Sequence, residues 1–561
     1  MRATLIVATC IILASLCAAE PPPTATSETG RPTLEQRWFF SFGYGRNRED
    51  VETIKSLIDT AAAHGLNGMV LSSFGFDSIT RWDEGDFALL EEIATRCRNR
   101  QIELIPTGFS AGYGGGVLGH DRSFAAALPT RAMLTARGDA LLPVAGENLL
   151  INGDLEDHAG DQFPGYIVQD QPGEVSFADE SAATGQTSIR YENFTANEHG
   201  HGRLAQRVVL RAGGSYRVAF RLKTLDLAPA SRFTVQVLAG SRTLARVSPK
   251  VASTQDWSHV ALDFISTRND TVNVYAGIWG GESGAFWLDD FRVQEEASLA
   301  DIARRQGTPV ELRSLDRDIV FVEGRDYEPI RNLRDLEHLS RPPTSAIQEG
   351  ERLLLSCYRI PYVGHSWGRQ TSLCMSNPGL YEYWEAQARR LHEVLPYQRV
   401  LLAMDEIRNG GGCALCQDRG LSMAEILGDC FTRQHAIFQR IDPDIEVLAW
   451  SDMLDPAHNA HADYYGVVGD YTGSWQHVPQ EITMMSWYHK IRDESLGFFS
   501  SHGFGTFGAA YYDADNLTGS EEWLRSLERT TGARGIMYTT WDRKYELLGA
   551  FGDLVSAAPD R

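Results

Sequence analysis

RVLLAMDEIRNGGGCALC, residues 399–416, opens on an apolar run, passes through two adjacent carboxylates, and ends in a glycine cluster and a Cys-x-x-Cys. Val400, Leu401 and Leu402 sit side by side, without the polar alternation of a half-exposed strand. Such a run reads as a strand buried on both faces, which is the habit of a parallel sheet covered by helices. That reading decides the fold.

Working outward, the same texture recurs on both sides. RWFFSFGYG (37–45), GMVLSS (68–73) and IELIPTGF (102–109) read as strands. Helical spacing fills 50–64, which ends at Gly65, and 84–100. After the quoted stretch come a helix over 421–440, IEVLAWSDM (445–453), ITMMSWYH (482–489), GTFGAAYYD (505–513), a helix over 519–531, and GIMYTTW (535–541). Three strands lie before residue 110 and five after 398, so the expected fold class is α/β, a (β/α)8 TIM barrel. Between them the texture changes. Residues 147–297 hold short alternating strands and turn residues with no amphipathic helix, which predicts an inserted all-β jelly-roll sandwich. The expected layout is a signal peptide at 1–19, a linker at 20–35, the first part of the barrel at 36–146, the sandwich at 147–297, a β-rich connection at 298–398, and the second part of the barrel at 399–561.

The bulk numbers agree with a folded, soluble chain. Of 561 residues, 43% are hydrophobic and 22% charged. The net charge of −22 argues against nucleic acid and anionic membranes as partners and suits a neutral ligand. The N-terminus carries Arg2, an apolar run from Leu5 to Leu16 and small residues after it, which reads as an export signal cleaved after Ala19. Lipid attachment at Cys17 is the alternative, although Leu16 is bulky for the position before a lipidated cysteine. The expected location is periplasmic or extracellular. The leader's apolar run is short for a membrane span, and no other span is expected.

The sandwich begins NLLINGDLED (148–157) and ends FWLDDFRV (286–293). These phrases resemble the opening and closing strands of bacterial carbohydrate-binding modules of families 4 and 9, which are β-jelly rolls. The resemblance implies a carbohydrate partner, and a structural calcium in the sandwich is the one cofactor considered. Asp289 and Asp290 read as turn or calcium-type residues.

Active sites of such barrels lie at the C-terminal ends of the strands. Those ends carry Arg46 on strand one, and His120 and Asp121 in the glycine-rich loop after strand three. Asp405-Glu406 closes strand four, Trp450 and Asp452 strand five, and Trp487 strand six. Tyr511 and Tyr512 close strand seven and Trp541 strand eight. Carboxylates supply acid–base chemistry and aromatic walls hold a sugar face, so the rim suits glycoside hydrolysis. Neighbours in a regular strand face opposite ways, so Asp405 and Glu406 share the mouth only if the strand has already ended.

The pair resembles the Asp-Glu that closes barrel strand four in glycoside hydrolase family 20, the β-N-acetylhexosaminidases. The resemblance implies that Glu406 is the general acid/base and that Asp405 orients the substrate's 2-acetamido group, which attacks the anomeric carbon. It also implies sugar contacts for Arg46, Trp450, Asp452, Trp487, Tyr511 or Tyr512, and Trp541, while His120 and Asp121 read as hydroxyl-binding candidates. Two other readings stay open. Asp452 could be a protein nucleophile on sugars without an acetamide, or the chain could bind glycan without turning it over. Cys357, Cys374, Cys413 and Cys416 are read as disulfide candidates after export, with a four-thiolate zinc clip as the alternative. No catalytic metal or cofactor is expected. GYGGGVLG (112–119) lacks the Lys-Ser/Thr of a phosphate loop, and no Gly-x-Ser-x-Gly elbow occurs.

Overall fold

The computed structural model describes residues 34–557 except positions 44, 46, 74, 332, 333, 335, 366 and 367. The signal and almost all of the linker lie outside the described residues, as does Arg46. Eight parallel strands close a barrel in chain order: β1 (Gln36–Phe42), β2 (Gly68–Ser72), β3 (Glu103–Gly108), β4 (Arg399–Leu402), β5 (Glu446–Trp450), β6 (Thr483–Ser486), β7 (Thr506–Ala509) and β8 (Ala533–Tyr538). β8 pairs with β1, so the sheet has no edge.

The strand pattern shows why the runs are apolar throughout. Trp38, Phe40, Val70, Ile105, Leu401, Leu448, Met485, Phe507 and Met537 point inward and fill the barrel. Their neighbours Phe39, Met69, Leu71, Val400, Leu402, Val447 and Met484 point outward and pack under the helices. With both faces covered, no position is left for polar alternation. At the N-terminal rim, Arg399 bridges Glu103 (2.6 Å) and Glu446 (2.7 Å), tying three adjacent strands together.

The helical layer is α1 (Arg48–Ala63), α2 (Glu84–Arg100), α3 (Pro378–Val394), α4 (Met423–Ile441), α5 (Arg492–Ser501), α6 (Thr518–Glu528) and α7 (Leu548–Ser556). Local sequence starts them where expected. Asp83 with Asp86 and Ser422 with Glu425 form capping boxes, and Asn377 caps a helix whose first residue is Pro378. One crossover departs from the (β/α)8 pattern. Between β5 and β6 the described chain has no α-helix, only short 3₁₀ segments at Asp452–Leu454 and Ser474–His477 and a two-residue strand at Gly466–Val467.

The insertion is nested. Residues Leu128–Arg137 and Ala140–Pro143 pair with Arg352–Arg359, Glu311–Ser314, Val320–Phe321 and Leu339–Ser340 in one six-stranded antiparallel sheet with its own core. Residues 128–143 therefore leave the barrel, where the sequence reading had kept them. Their alternation of buried and exposed positions is that of a one-sided sheet, and their partner strand lies more than 200 positions away. The stretch read as a β-rich connection also holds α3, which packs against the barrel. Within this sheet sits the sandwich, two five-stranded antiparallel sheets around a separate core. Its opening and closing phrases meet. The Asn148 side chain accepts from Val293 N–H (2.9 Å) and donates to the Phe291 carbonyl (3.2 Å). Asp289 accepts from the backbone N–H groups of Ala183 (2.7 Å), Thr184 (2.9 Å) and Asp290 (2.6 Å), so it organises turns.

Asp77, in the 3₁₀ segment after β2, is 1% exposed and accepts from Phe109 N–H at 3.1 Å. Burial pushes its carboxyl up to about 7. The folded state therefore holds the proton more tightly than the unfolded chain does. Stability is full below about pH 4, falls as pH rises to about 7, and levels off above, by roughly 4 kcal/mol in all. Asp77→Asn keeps the acceptor for Phe109 and removes the titration. Denaturant unfolding of the variant between pH 4 and 8 is expected to show a shallower slope than the wild type, the remainder coming from Asp405 and Asp452, and an unchanged slope would show that Asp77 does not contribute.

Candidate active site

The β4 strand ends at Leu402, three residues before the acidic pair. Leu401 and Ala403 face the barrel interior and Leu402 and Met404 face the helices, so Asp405 continues the inward row. Glu406 would point out, but its φ of +50° puts it in the left-handed region. This turn reverses the alternation and returns Glu406 to the mouth. Such a conformation costs a non-glycine residue about 1–3 kcal/mol and needs surrounding support.

Support comes from β5. Glu406 N–H donates to Asp452 Oδ2 at 3.0 Å, and Asn459 Nδ2 donates to the same oxygen at 2.7 Å. Asp452 is fully buried, and burial with the Glu406 charge raises its carboxyl to about 7. The Glu406 carbonyl accepts from Gln370 Nε2 at 2.9 Å, and the same amide nitrogen reaches the Gly112 carbonyl at 3.1 Å. The Glu406 carboxylate pairs with Arg408 Nη2 at 2.7 Å and accepts from the Tyr113 hydroxyl. Arg408 is 8% exposed, donates to Gln370 Oε1, and lies over the Tyr465 ring at 5.1 Å. Burial and the charges of Asp452 and Glu406 push the Asp405 carboxyl well above the usual carboxylate range.

Aromatic rings flank this cluster. Trp487 lies parallel to Tyr512 at 6.0 Å and meets the edge of His458 at 4.6 Å. Tyr512 is 48% exposed, and burial and the Glu406 charge raise its hydroxyl to about 12. Trp541 closes the next side, 5.3 Å from Phe40 and 5.8 Å from Trp450. Asp513 fixes that corner, accepting from the backbone N–H of Trp541 at 2.9 Å and from the Thr540 hydroxyl.

No protein-family model and no curated protein matches this chain. Among solved structures, a chitobiase from Flavobacterium johnsoniae overlaps 93% of this chain and 48% of its own, at 8% identity and a TM-score of 0.37. The chain thus spans about half the length of that enzyme. A rhamnosidase from Novosphingobium sp. PP1Y overlaps 90% of this chain and 55% of its own, at 8% identity and a TM-score of 0.35. A family 61 carbohydrate-binding module in complex with β-1,4-galactotriose overlaps 26% of this chain and 97% of its own, at 18% identity and a TM-score of 0.21. Likenesses this faint leave the chemistry to be read from the mouth itself.

The residues singled out in the sequence fall into distinct places. Asp405, Glu406, Asp452, Trp487, Tyr512 and Trp541 converge on the mouth. Trp450 is 2% exposed and lies beneath Trp541 in the barrel filling. Tyr511 turns the other way. Its ring stacks on Tyr538 at 4.2 Å and its hydroxyl donates to the Ala514 carbonyl at 2.5 Å, so it belongs to the core behind the sheet. His120 stacks on Tyr383 of α3 at 4.7 Å. Asp121 caps a 3₁₀ turn by accepting from Ser123 N–H at 2.8 Å. In the structure the sulfurs of Cys357, Cys374, Cys413 and Cys416 are not bonded to one another. Cys357 instead contacts the Thr130 hydroxyl at 3.4 Å in the core of the six-stranded sheet. Among the described residues, no helix is long and apolar enough to cross a membrane.

Sequence reasoning missed Arg408, Tyr113 and Gln370 as partners of the pair. Arg408 had a signal, being the one cation in the quoted exit loop. Gln370 had none, because it arrives from the inserted region on the strand Gly368–Gln370, which pairs with Val363–His365.

Gly112 passes so close to the pair that a Cβ there would lie 2.0 Å from the Asp405 carbonyl oxygen. Backbone must move to admit it. Gly112→Ala is expected to destabilise by about 1–3 kcal/mol, as overpacking does, read as a lowered denaturant midpoint. An unchanged midpoint would mean that this loop does not clasp the end of β4.

Proposed function

We propose that the barrel mouth is the active site of a retaining glycoside hydrolase acting on β-linked N-acetylhexosamine. The observation that carries this reading is the left-handed turn at Glu406, which sets two consecutive carboxyls on one mouth beside the Trp487–Tyr512 wall. Glu406 protonates the glycosidic oxygen as the C–O bond breaks. Asp405 holds the 2-acetamido group while its carbonyl oxygen bonds to the anomeric carbon. Glu406 then deprotonates the water that opens the cyclic intermediate, restoring the acetamide and the anomeric configuration.

Two features support these roles. Burial and the charges of Asp452 and Glu406 raise the Asp405 carboxyl, and interacting carboxyls titrate as a unit. Asp452 is fully buried, and one of its oxygens is engaged by Glu406 N–H and Asn459. A group so enclosed is poorly placed to reach an anomeric carbon. This favours the substrate's own acetamide over Asp452 as nucleophile. Arg408 lies against the Glu406 carboxyl at 2.7 Å and fixes its orientation in the mouth. The leader at 1–19 suits an enzyme that meets glycans outside the cytoplasm.

Aryl N-acetyl-β-hexosaminides and the matching plain hexosides, assayed side by side, test the reading. Hydrolysis is expected only of the N-acetyl series. Glu406→Gln is expected to lower kcat about 10²–10⁴-fold, with less loss for activated leaving groups that need no proton. Asp405→Asn should slow activated and unactivated substrates alike. Equal cleavage of plain hexosides would overturn acetamide participation, and glycan binding without any turnover would overturn the enzymatic reading.

A further inference from the structure

Beside the mouth, three cysteines from two distant segments meet in the interior. Cys374 lies just before α3, and Cys413 and Cys416 lie on the exit loop of β4. All three are at most 5% exposed. Their sulfurs form a nearly regular triangle, with Sγ–Sγ distances of 3.6 Å for Cys374–Cys413, 3.8 Å for Cys374–Cys416 and 3.6 Å for Cys413–Cys416. A disulfide needs about 2.05 Å and brings together one pair at the expense of the third. Zinc–thiolate bonds of about 2.3 Å in a tetrahedron place neighbouring sulfurs about 3.8 Å apart. The triangle therefore has the edge of one face of such a site.

Three further observations bear on a cation. The cavity bounded by the thiols measures about 10 Å³, room for about one atom-sized occupant. Met375 and Met423 line it with soft sulfur and no competing carboxylate. Arg305 Nη2 lies 3.5 Å from Cys413 Sγ and also donates to the Ala125 carbonyl at 3.1 Å. Three thiolates around a divalent ion carry one net negative charge, and the half-buried Arg305 guanidinium offsets it. Cys413 and Cys416 present their sulfurs together because the chain turns tightly there, with Cys416 N–H donating to the Cys413 carbonyl at 3.0 Å. Among the described residues no fourth Cys, His, Asp or Glu joins the cluster, so the fourth position falls to a small exogenous ligand.

We propose that Cys374, Cys413 and Cys416 bind one thiophilic divalent cation of the zinc class. The ion pins the β4 exit loop to the segment that begins α3. Its role is structural, holding in place the chain that follows Asp405 and Glu406. Binding displaces the thiol protons, so affinity falls with acidification.

The test uses the full chain purified without chelator. Elemental analysis is expected to find about one zinc per chain, lost on Cys413→Ser and on Cys416→Ser. Reconstitution with cobalt should give thiolate-to-metal charge-transfer absorption that the variants lack. Thiol counts under denaturing conditions should be equal before and after reduction. Because a serine variant can fail to fold, the wild type is also stripped with chelator. Its thermal midpoint is expected to drop and to recover on adding zinc alone. Two additional thiols after reduction would overturn the proposal in favour of a disulfide. Equal counts with neither bound zinc nor a cobalt spectrum would overturn it in favour of three buried thiols.

Discussion

The hydrogen bond from Glu406 N–H to the buried Asp452 carboxyl is the contact on which the mouth depends. It joins the ends of two adjacent barrel strands at 3.0 Å. It also fixes a non-glycine residue at a φ of +50°. Losing this bond would leave a buried polar group unsatisfied, at about 1–3 kcal/mol, which is comparable to the strain of that turn. Without the turn, Glu406 would face the helices and the two carboxyls would lie on opposite sides of the sheet. The burial that makes the anchor strong also raises Asp452 to about 7, so anchor and acid–base cluster share one electrostatic environment.

Other parts of the molecule converge on the same few residues. The loop after β3 brings Gly112 and Tyr113, the inserted hairpin brings Gln370, and the β4 exit loop brings Arg408. Gln370 joins the other two at once. Its two amide hydrogens serve the Gly112 and Glu406 carbonyls, and its oxygen serves Arg408. The insertion between β3 and α3 is therefore more than an appended module, because its returning chain completes the wall of the mouth. The proposed cation site acts on the same loop from below.

Legibility varied with the range of the forces involved. The barrel strands stood out because burial on both faces leaves an unbroken apolar run, a local signature. The acidic pair stood out because position at a strand end is also local. Residues 128–143 fall inside the bounds 36–146 read as barrel, because nothing local points to their partner, Arg352–Arg359. Tyr511 and Tyr512 were indistinguishable on the same grounds. Once β7 ends at Ala509, alternation no longer says which ring turns inward, and stacking on Tyr538 decides it.

The sequence by itself determined the parallel strands, the change of texture where the insertion lies, and the carboxylates at the end of β4. These follow from hydrophobic periodicity and chain order, which need no partner. Only the tertiary structure decided that Glu406 turns back to the mouth, that Arg408 and Tyr113 hold it, and that three cysteines meet while Cys357 stays apart. Apart from Arg408, which lies two residues from Glu406, those outcomes rest on pairings across tens to hundreds of residues and on one left-handed backbone turn. The local sequence does not encode these long-range pairings, because the hydrogen bonds and buried charges that stabilise them exist only once the barrel has closed.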